Sequence, residues 1–449
     1  MYLAVALVIG LAAGYFIYPS VNPTTEEELQ QALDDANARI SDLQGDVSGL
    51  QEDVSDLQAT IDAFPTLEGT IPIGALLSLT GDLATFGENE YEALKIARDE
   101  VNQWLTDSGY DFQIEVIPED TATTPALALE KLQSLAAQGV KVVLGPLASS
   151  EVRAIKAYAD ANDILVLSQS STDPGIAIAG DNVFRYTTDD TIQGPVMAAI
   201  AESVGLTHVV PVWRRDTWGD GLIAEARKAM EDMDITVAAG IGYDPEVVGT
   251  TGFGAEVDSL NSAVEGLVAT HGVDNVGVLF IAFEEAVDML AKASEFPGLE
   301  QVKWIGSDGT AVSAAVSGDP TAAEFAVTTE WTNPIFGVTH SAKWEKLRDQ
   351  IHTILGRDPD PYSYNMYDML WIVAQAIVSA GEYDFAKIKA VLPQISNNFF
   401  GASGWTILNE AGDRAGADYE LYEVVPVDGL WEWEQIGIYT QSTGEITWY

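Results

Sequence analysis

The chain of 449 residues contains no cysteine at all. That absence excludes disulfides, thiolate nucleophiles, lipid-modified cysteines and cysteine-based metal sites together. Cationic residues are scarce: 21 Lys and Arg stand against 69 Asp and Glu, for a formal net charge of −48. A nucleic-acid binder needs clustered Lys and Arg to neutralise phosphates, so that class is set aside. The four histidines, at 208, 271, 340 and 352, are scattered without metal-ligand spacing, so no metal or other cofactor is expected. No Gly-Lys-Ser/Thr phosphate loop and no G-x-S-x-G elbow occurs, and no carboxylate pair stands out from the charged background. An enzyme is therefore not expected. What is abundant is apolar material: 47% of the residues are hydrophobic, enough for large cores in two or three domains.

Residues Met1 to Tyr18 carry no charge and are nearly all apolar, and Pro19 ends the run. As a helix they would span about 27 Å, enough to cross a hydrocarbon core. The reading is a membrane-anchor helix over 1–19. A cleaved signal normally opens with basic residues, and none is present here. A filament-core helix of the pilin type is opposed by Pro19 and Pro23.

The next segment, 20–69, is read as a coiled-coil stalk and linker. Leu29, Leu33, Ala36, Ile40, Leu43, Val47, Leu50, Val54, Leu57 and Ile61 alternate in steps of four and three. This is an unbroken heptad repeat with Leu at most d positions and mostly β-branched residues at a, which favours a parallel two-stranded coil. A parallel homodimer through 29–61 is the expectation. Gly45 and Gly49 weaken the helix by about 1 kcal/mol each. The stalk holds twelve acidic residues and only Arg39, so most of the negative charge belongs to residues 70–449. That acidity fits either adaptation to high salt or simple solubility of an external protein.

From Thr70 onward, short apolar runs alternate with longer amphipathic segments. Examples are the strands Ile71–Leu79, Val276–Ile281 and Lys303–Ile305 and the helices Asn89–Leu105 and Phe253–Thr270. Such alternation means right-handed βαβ units and parallel sheets. The number of strands exceeds what one compact sheet carries, so an α/β fold of two Rossmann-like lobes is expected. Polar, Gly-rich turns follow the carboxyl ends of successive strands, where parallel α/β sheets bind ligands.

At these turns the chain resembles a known family, the type I periplasmic-binding-fold proteins of the leucine/isoleucine/valine group. These are substrate-binding subunits of ABC importers. The matching stretches are Ile73–Gly87, Glu119–Thr124, Val143–Ser150, Leu167–Pro174, Val183–Gly194, Asp216–Gly221, Trp304–Gly309 and Gly401–Gly416. Their order and spacing hold over about residues 70–425. The resemblance implies two lobes with hinge crossovers, with 70–188 plus 330–415 in the first and 189–329 plus 416–449 in the second. It implies a carboxylate contact at Ser149 and Ser150, and a second contact loop at Ser170, Ser171 and Thr172. Asp308, in GSDG, matches the acid that pairs with the ligand's ammonium group. Trp218 and Phe86 match aromatic lid positions, and Phe283 or its neighbour Ala282 a further aromatic contact. Arg214 and Arg215 lie near the same mouth and are expected to pair at the surface with neighbouring Asp.

The expected function is capture of an amino acid or amide-like ligand for an ABC permease. The place is the outer face of the cell membrane, with the anchor holding the protein there. The alternative is a structural surface or filament-forming protein that reuses the binding fold and assembles through its N-terminal helix.

Overall fold

A computed structural model describes residues 25–62 and 67–449. The apolar segment assigned to the membrane anchor lies outside the described residues. Among the described residues, no helix is long and apolar enough to cross a membrane.

Residues Glu26–Asp62 form one unbroken 37-residue helix that is a compact unit separate from the body beginning at Leu67. The seam residues Leu29, Leu33, Ile40, Leu43, Leu50, Val54 and Leu57 are all exposed. The helix is thus present with its heptad seam uncovered, and a coiled coil requires a second helix.

The body holds three sheets. The first is parallel, with strand order β2-β1-β3-β4-β5. Its strands are β1 (Gly69–Leu77), β2 (Phe112–Asp120), β3 (Val142–Leu144), β4 (Leu165–Ser168) and β5 (Val183–Arg185). The second, also parallel, is ordered β10-β9-β6-β7, with β8 pairing β6. It comprises β6 (His208–Arg214), β7 (Thr236–Val237), β8 (Ile241–Tyr243), β9 (Val276–Ile281) and β10 (Lys303–Ile305). Every residue of β9 is buried, as a strand covered by helices on both faces requires. The third sheet is antiparallel: β11 (Asn333–Phe336), β12 (Tyr419–Val427), β13 (Leu430–Thr440) and β14 (Glu445–Trp448) in sequential order. It departs from the all-parallel expectation. β13 alternates exposed and half-buried positions over Leu430–Glu434, with Glu at 432 and 434, and β12 carries Glu420 and Glu423, so neither reads as a continuous apolar run.

One core lies under the first sheet and takes in Ile73, Leu94, Leu144 and Leu167 together with Met366 to Ile377 of the helix Pro361–Ala380. A second surrounds β6 and β9, with Val212, Phe280, Trp304 and Trp331. A third contains Phe86, Leu147, Trp218, Phe283, Ile305 and Tyr362 and joins residues from both parallel-sheet lobes. This shared cluster is where the two lobes meet.

Candidate functional site

The cleft is built where strands end and helices begin. After β3 the chain makes the turn Gly145–Ala148 and enters the helix Ser149–Ala161. Gly145 has φ +86°, and a Cβ there would lie 2.1 Å from the Leu76 carbonyl oxygen, so only glycine lets the turn pass this closely. The second loop, after β4, carries Ser170 and Thr172. From the second lobe come Trp218, in the first turn of helix Thr217–Asp232, Phe283 after β9, and Asp308–Gly309 after β10.

Leu83, Phe86, Leu147, Ala148, Ser149, Ser170, Thr172, Trp218, Phe283, Asp308, Gly309 and Tyr362 line one cleft. It holds about 300 Å³ of non-atom space, solvent at its mouth included. Its side chains are buried, so the lobes are closed on each other. Closure is tied by main-chain donors: Glu284 N–H donates to the Asp82 carbonyl at 3.0 Å, and Thr85 N–H to the side-chain Oε2 of Glu284 at 3.4 Å.

The two ends of the cleft differ in polarity. At the first-lobe end, the N–H groups of Ser149 and Ser150 have no intrahelical acceptor and sit at the positive end of the dipole of helix Ser149–Ala161, while that of Glu151 is taken by Ala148 O. Ser149 Oγ accepts from the N–H groups of Thr172 and Asp173, each at 3.1 Å, which leaves its own O–H as a donor. Ser170 Oγ donates to Leu147 O at 2.9 Å and keeps its lone pairs. This end suits an anion.

The other end is acidic. Asp308 Oδ2 accepts from Tyr362 Oη at 2.6 Å, while Oδ1 is buried without a partner. Asp308 N–H donates to Gln193 Oε1, and Gln193 Nε2 donates to Asp190 Oδ1, both at 3.1 Å. Asp190 Oδ2 is likewise buried and unpartnered. Burial pushes the Asp308 carboxyl up to about 6, against the hydrogen bonds from Tyr362 and Gln193. Burial, and then the Asp308 charge, push Asp190 well above the usual carboxylate range. No cation lines this end. A buried carboxylate without a counter-charge is costly, and a ligand ammonium supplies the counter-charge.

Between these ends lies an aromatic wall. Trp218 and Phe283 stack at 4.7 Å with 15° between planes, and the Arg214 guanidinium covers the Phe283 ring at 3.8 Å. A Cβ on Gly309 would stand 2.7 Å from Trp218 and 2.8 Å from Phe283, so the second glycine of GSDG makes room for this stack.

Of the residues expected to hold ligand, Phe86, Ser149, Ser170, Thr172, Trp218, Phe283 and Asp308 come together here. Ser150 and Ser171 are not among the lining residues. Ser171 belongs to the back of the loop. There the Ser171 carbonyl accepts from Arg185 Nη1 at 3.1 Å. The same nitrogen holds Asp173 O at 2.9 Å, and the guanidinium grips Asp413 through two bonds of 2.6 Å. Of Ala282 and Phe283, Phe283 lines the cleft. Arg214 is buried rather than at the surface, where it bonds Asp216 at 2.6 Å and Glu285 at 2.8 Å. Leu83, Leu147, Tyr362 and Asp190 went unnoticed in the sequence. Asp190 stood within the matched stretch Val183–Gly194, and Tyr362 follows an Asp-Pro helix start, Asp360–Pro361.

Two parallel α/β lobes closed over a cleft with a helix N-terminus at one end and a free acid at the other define a two-lobed ligand-binding protein. Residues 89–426 match the receptor family ligand binding region, and the chain belongs to that family. An uncharacterized protein of Methanocaldococcus jannaschii is 31% identical over 399 residues, covering 85% of this chain and 92% of that protein. The leucine-, isoleucine-, valine-, threonine- and alanine-binding protein of Pseudomonas aeruginosa is 25% identical over 367 residues, 79% of this chain and 90% of its own. The crystal structure of a leucine-binding protein from Thermotoga maritima superposes with a TM-score of 0.66 at 20% identity, covering 81% of this chain and 97% of that one. The fold is that of the type I periplasmic binding proteins.

Proposed function

We propose that the protein captures an amino acid or amide-like small molecule in the closed cleft and presents it to an ABC permease. The observation that carries this reading is Asp308: a buried carboxylate with one oxygen held by Tyr362 and the other unpartnered, facing a cleft without a cation. The ligand's ammonium group binds Asp308 Oδ1, and its carboxylate meets Ser149 and the helix N-terminus behind it. The apolar part lies against Trp218, Phe283, Phe86 and Leu147. Hinge opening admits the ligand and closure traps it. No bond is made or broken. The name of the Pseudomonas aeruginosa relative supports aliphatic amino acids as the first ligands to try. The protein works outside the cytoplasm, held at the membrane through residues 1–18 and carried on a stalk that pairs with that of a second copy.

Calorimetric titration with leucine, isoleucine, valine, alanine, threonine, phenylalanine, glutamate and short amides tests this. Micromolar or tighter binding is expected, with Asp308→Asn weakening it by about ten- to a hundredfold, the loss of one charged hydrogen bond. No binding across the panel overturns the reading and turns attention to filaments of the full chain.

A further inference from the structure

Glu90 lies on the helix Ala84–Asp107, one turn beyond the cleft residue Phe86, and is completely buried. Gln169, just before the cleft residue Ser170, is also completely buried and donates Nε2–H to Glu90 Oε2 at 2.8 Å. Two oxygens in this contact have no partner: Glu90 Oε1 and Gln169 Oε1, one on each group. As a carboxylate Glu90 only accepts, so it has nothing to offer the amide oxygen. A proton on Glu90 Oε1 supplies the one missing donor, and acid and amide then bond reciprocally.

The surroundings argue the same way. The titratable groups that face Glu90 are Asp360, at the start of helix Pro361–Ala380, and Glu151, on helix Ser149–Ala161; both are acids. The loop Ser168–Thr172 carries no charge. Arg414 reaches this network only through Asn365, taking its Oδ1 at 3.2 Å while Asn365 Nδ2 donates to Gln169 O at 2.9 Å. Asp360 is occupied by Asn89 Nδ2 and Ser363 Oγ, and Glu151 by the Ala148 N–H.

We propose that Glu90 is a neutral carboxylic acid in the folded protein, paired reciprocally with Gln169, and that it positions the Ser170–Thr172 loop against the helix that carries Phe86. Burial first, then Asp360, hold its proton well above the usual carboxylate range, which agrees. A neutral Glu90 also keeps negative charge away from the cleft end that receives the ligand's carboxylate. Only this last consequence and the L-leucine arm of the test rest on the binding reading above.

The test compares full-length wild type with Glu90→Gln, an isostere of the protonated acid. At neutral pH the infrared difference spectrum should contain a protonated-carboxyl C=O band present in wild type and missing in the variant. The folded acid keeps its proton where the unfolded one has lost it, so wild-type stability falls as pH rises above the ordinary Glu value. The melting-temperature difference, variant minus wild type, should therefore widen steadily between about pH 5 and 8. No such band, a constant difference, or a Glu90→Gln protein that fails to fold overturns the proposal. These arms need no ligand, so they stand whether or not the cleft binds amino acids. With L-leucine as the probe, Glu90→Gln should bind within about twofold of wild type. Glu90→Leu, which fills the space but leaves Gln169 unpaired, should bind about tenfold more weakly, as loss of one buried hydrogen bond gives. Equal binding by Glu90→Leu would overturn the positioning role.

Discussion

At the scale of single residues, the proposed recognition through Asp308 carries a pH dependence. Its carboxyl is pushed up to about 6 by burial. An ammonium ligand binds the ionised form, so affinity for L-leucine should fall as pH drops through that value, approaching about tenfold per pH unit. The ligand-free protein behaves oppositely. The folded acid holds its proton more tightly than the unfolded one, so this group's contribution to stability decreases as pH rises from the ordinary Asp value toward 6. Titration at pH 7 and at pH 5 checks the first sign; equal affinity would remove Asp308 as the ammonium partner. Asp308 was legible because it stands in a short glycine-flanked turn after a strand. Its partner Tyr362 was not, because 54 residues separate them and only the fold brings the hydroxyl to 2.6 Å.

At the scale of elements, Arg214 ends β6 and binds three others together. It reaches Asp216, the N-cap of the helix carrying Trp218, then Glu285 beyond β9, and Asp82 of the other lobe at 3.5 Å. It also covers the back of Phe283. Arg214→Met should lower the unfolding free energy by about 3 kcal/mol, since Glu285, whose Oε2 is buried, loses its counter-charge. Urea unfolding measures it, and a change below about 1 kcal/mol would show the cluster to be screened like a surface pair. The βαβ alternation was readable from apolar runs because strands buried on both faces are continuously hydrophobic. The antiparallel strands were not, for β12 and β13 carry Glu among their apolar residues, and β13 has no continuous apolar run at its start.

At the scale of the whole molecule, the proposed pairing of helix Glu26–Asp62 with that of a second copy would put two clefts in one assembly. The seam residues Leu33, Leu43 and Leu50 are exposed along this unbroken helix. The e positions Gln30, Asn37, Gln44, Gln51 and Gln58 are all amides, so the acidic g residues Asp46 and Asp53 meet amides in a parallel pair rather than like charges. Light scattering of the full chain should give twice the chain mass of 48.2 kDa. Leu43→Asp with Leu50→Asp should give a monomer with unchanged ligand affinity. A monomeric wild type would remove the paired stalk.

Periodicity and turn chemistry are local, and so the sequence by itself determined the heptad helix, the parallel α/β lobes and the turns that supply Ser149, Ser170, Thr172, Trp218 and Asp308. Which oxygens are left free is not local. Tyr362 on Asp308, Gln169 on Glu90 and Arg185 on Asp413 are contacts between residues 54, 79 and 228 positions apart. No residue carries a mark of such a partner, because a hydroxyl or amide reads alike whether it meets water or a buried acid. Only the tertiary structure, by removing water from these groups, decided that both oxygens of Asp413 are held while one oxygen each of Asp308 and Glu90 is left unpaired.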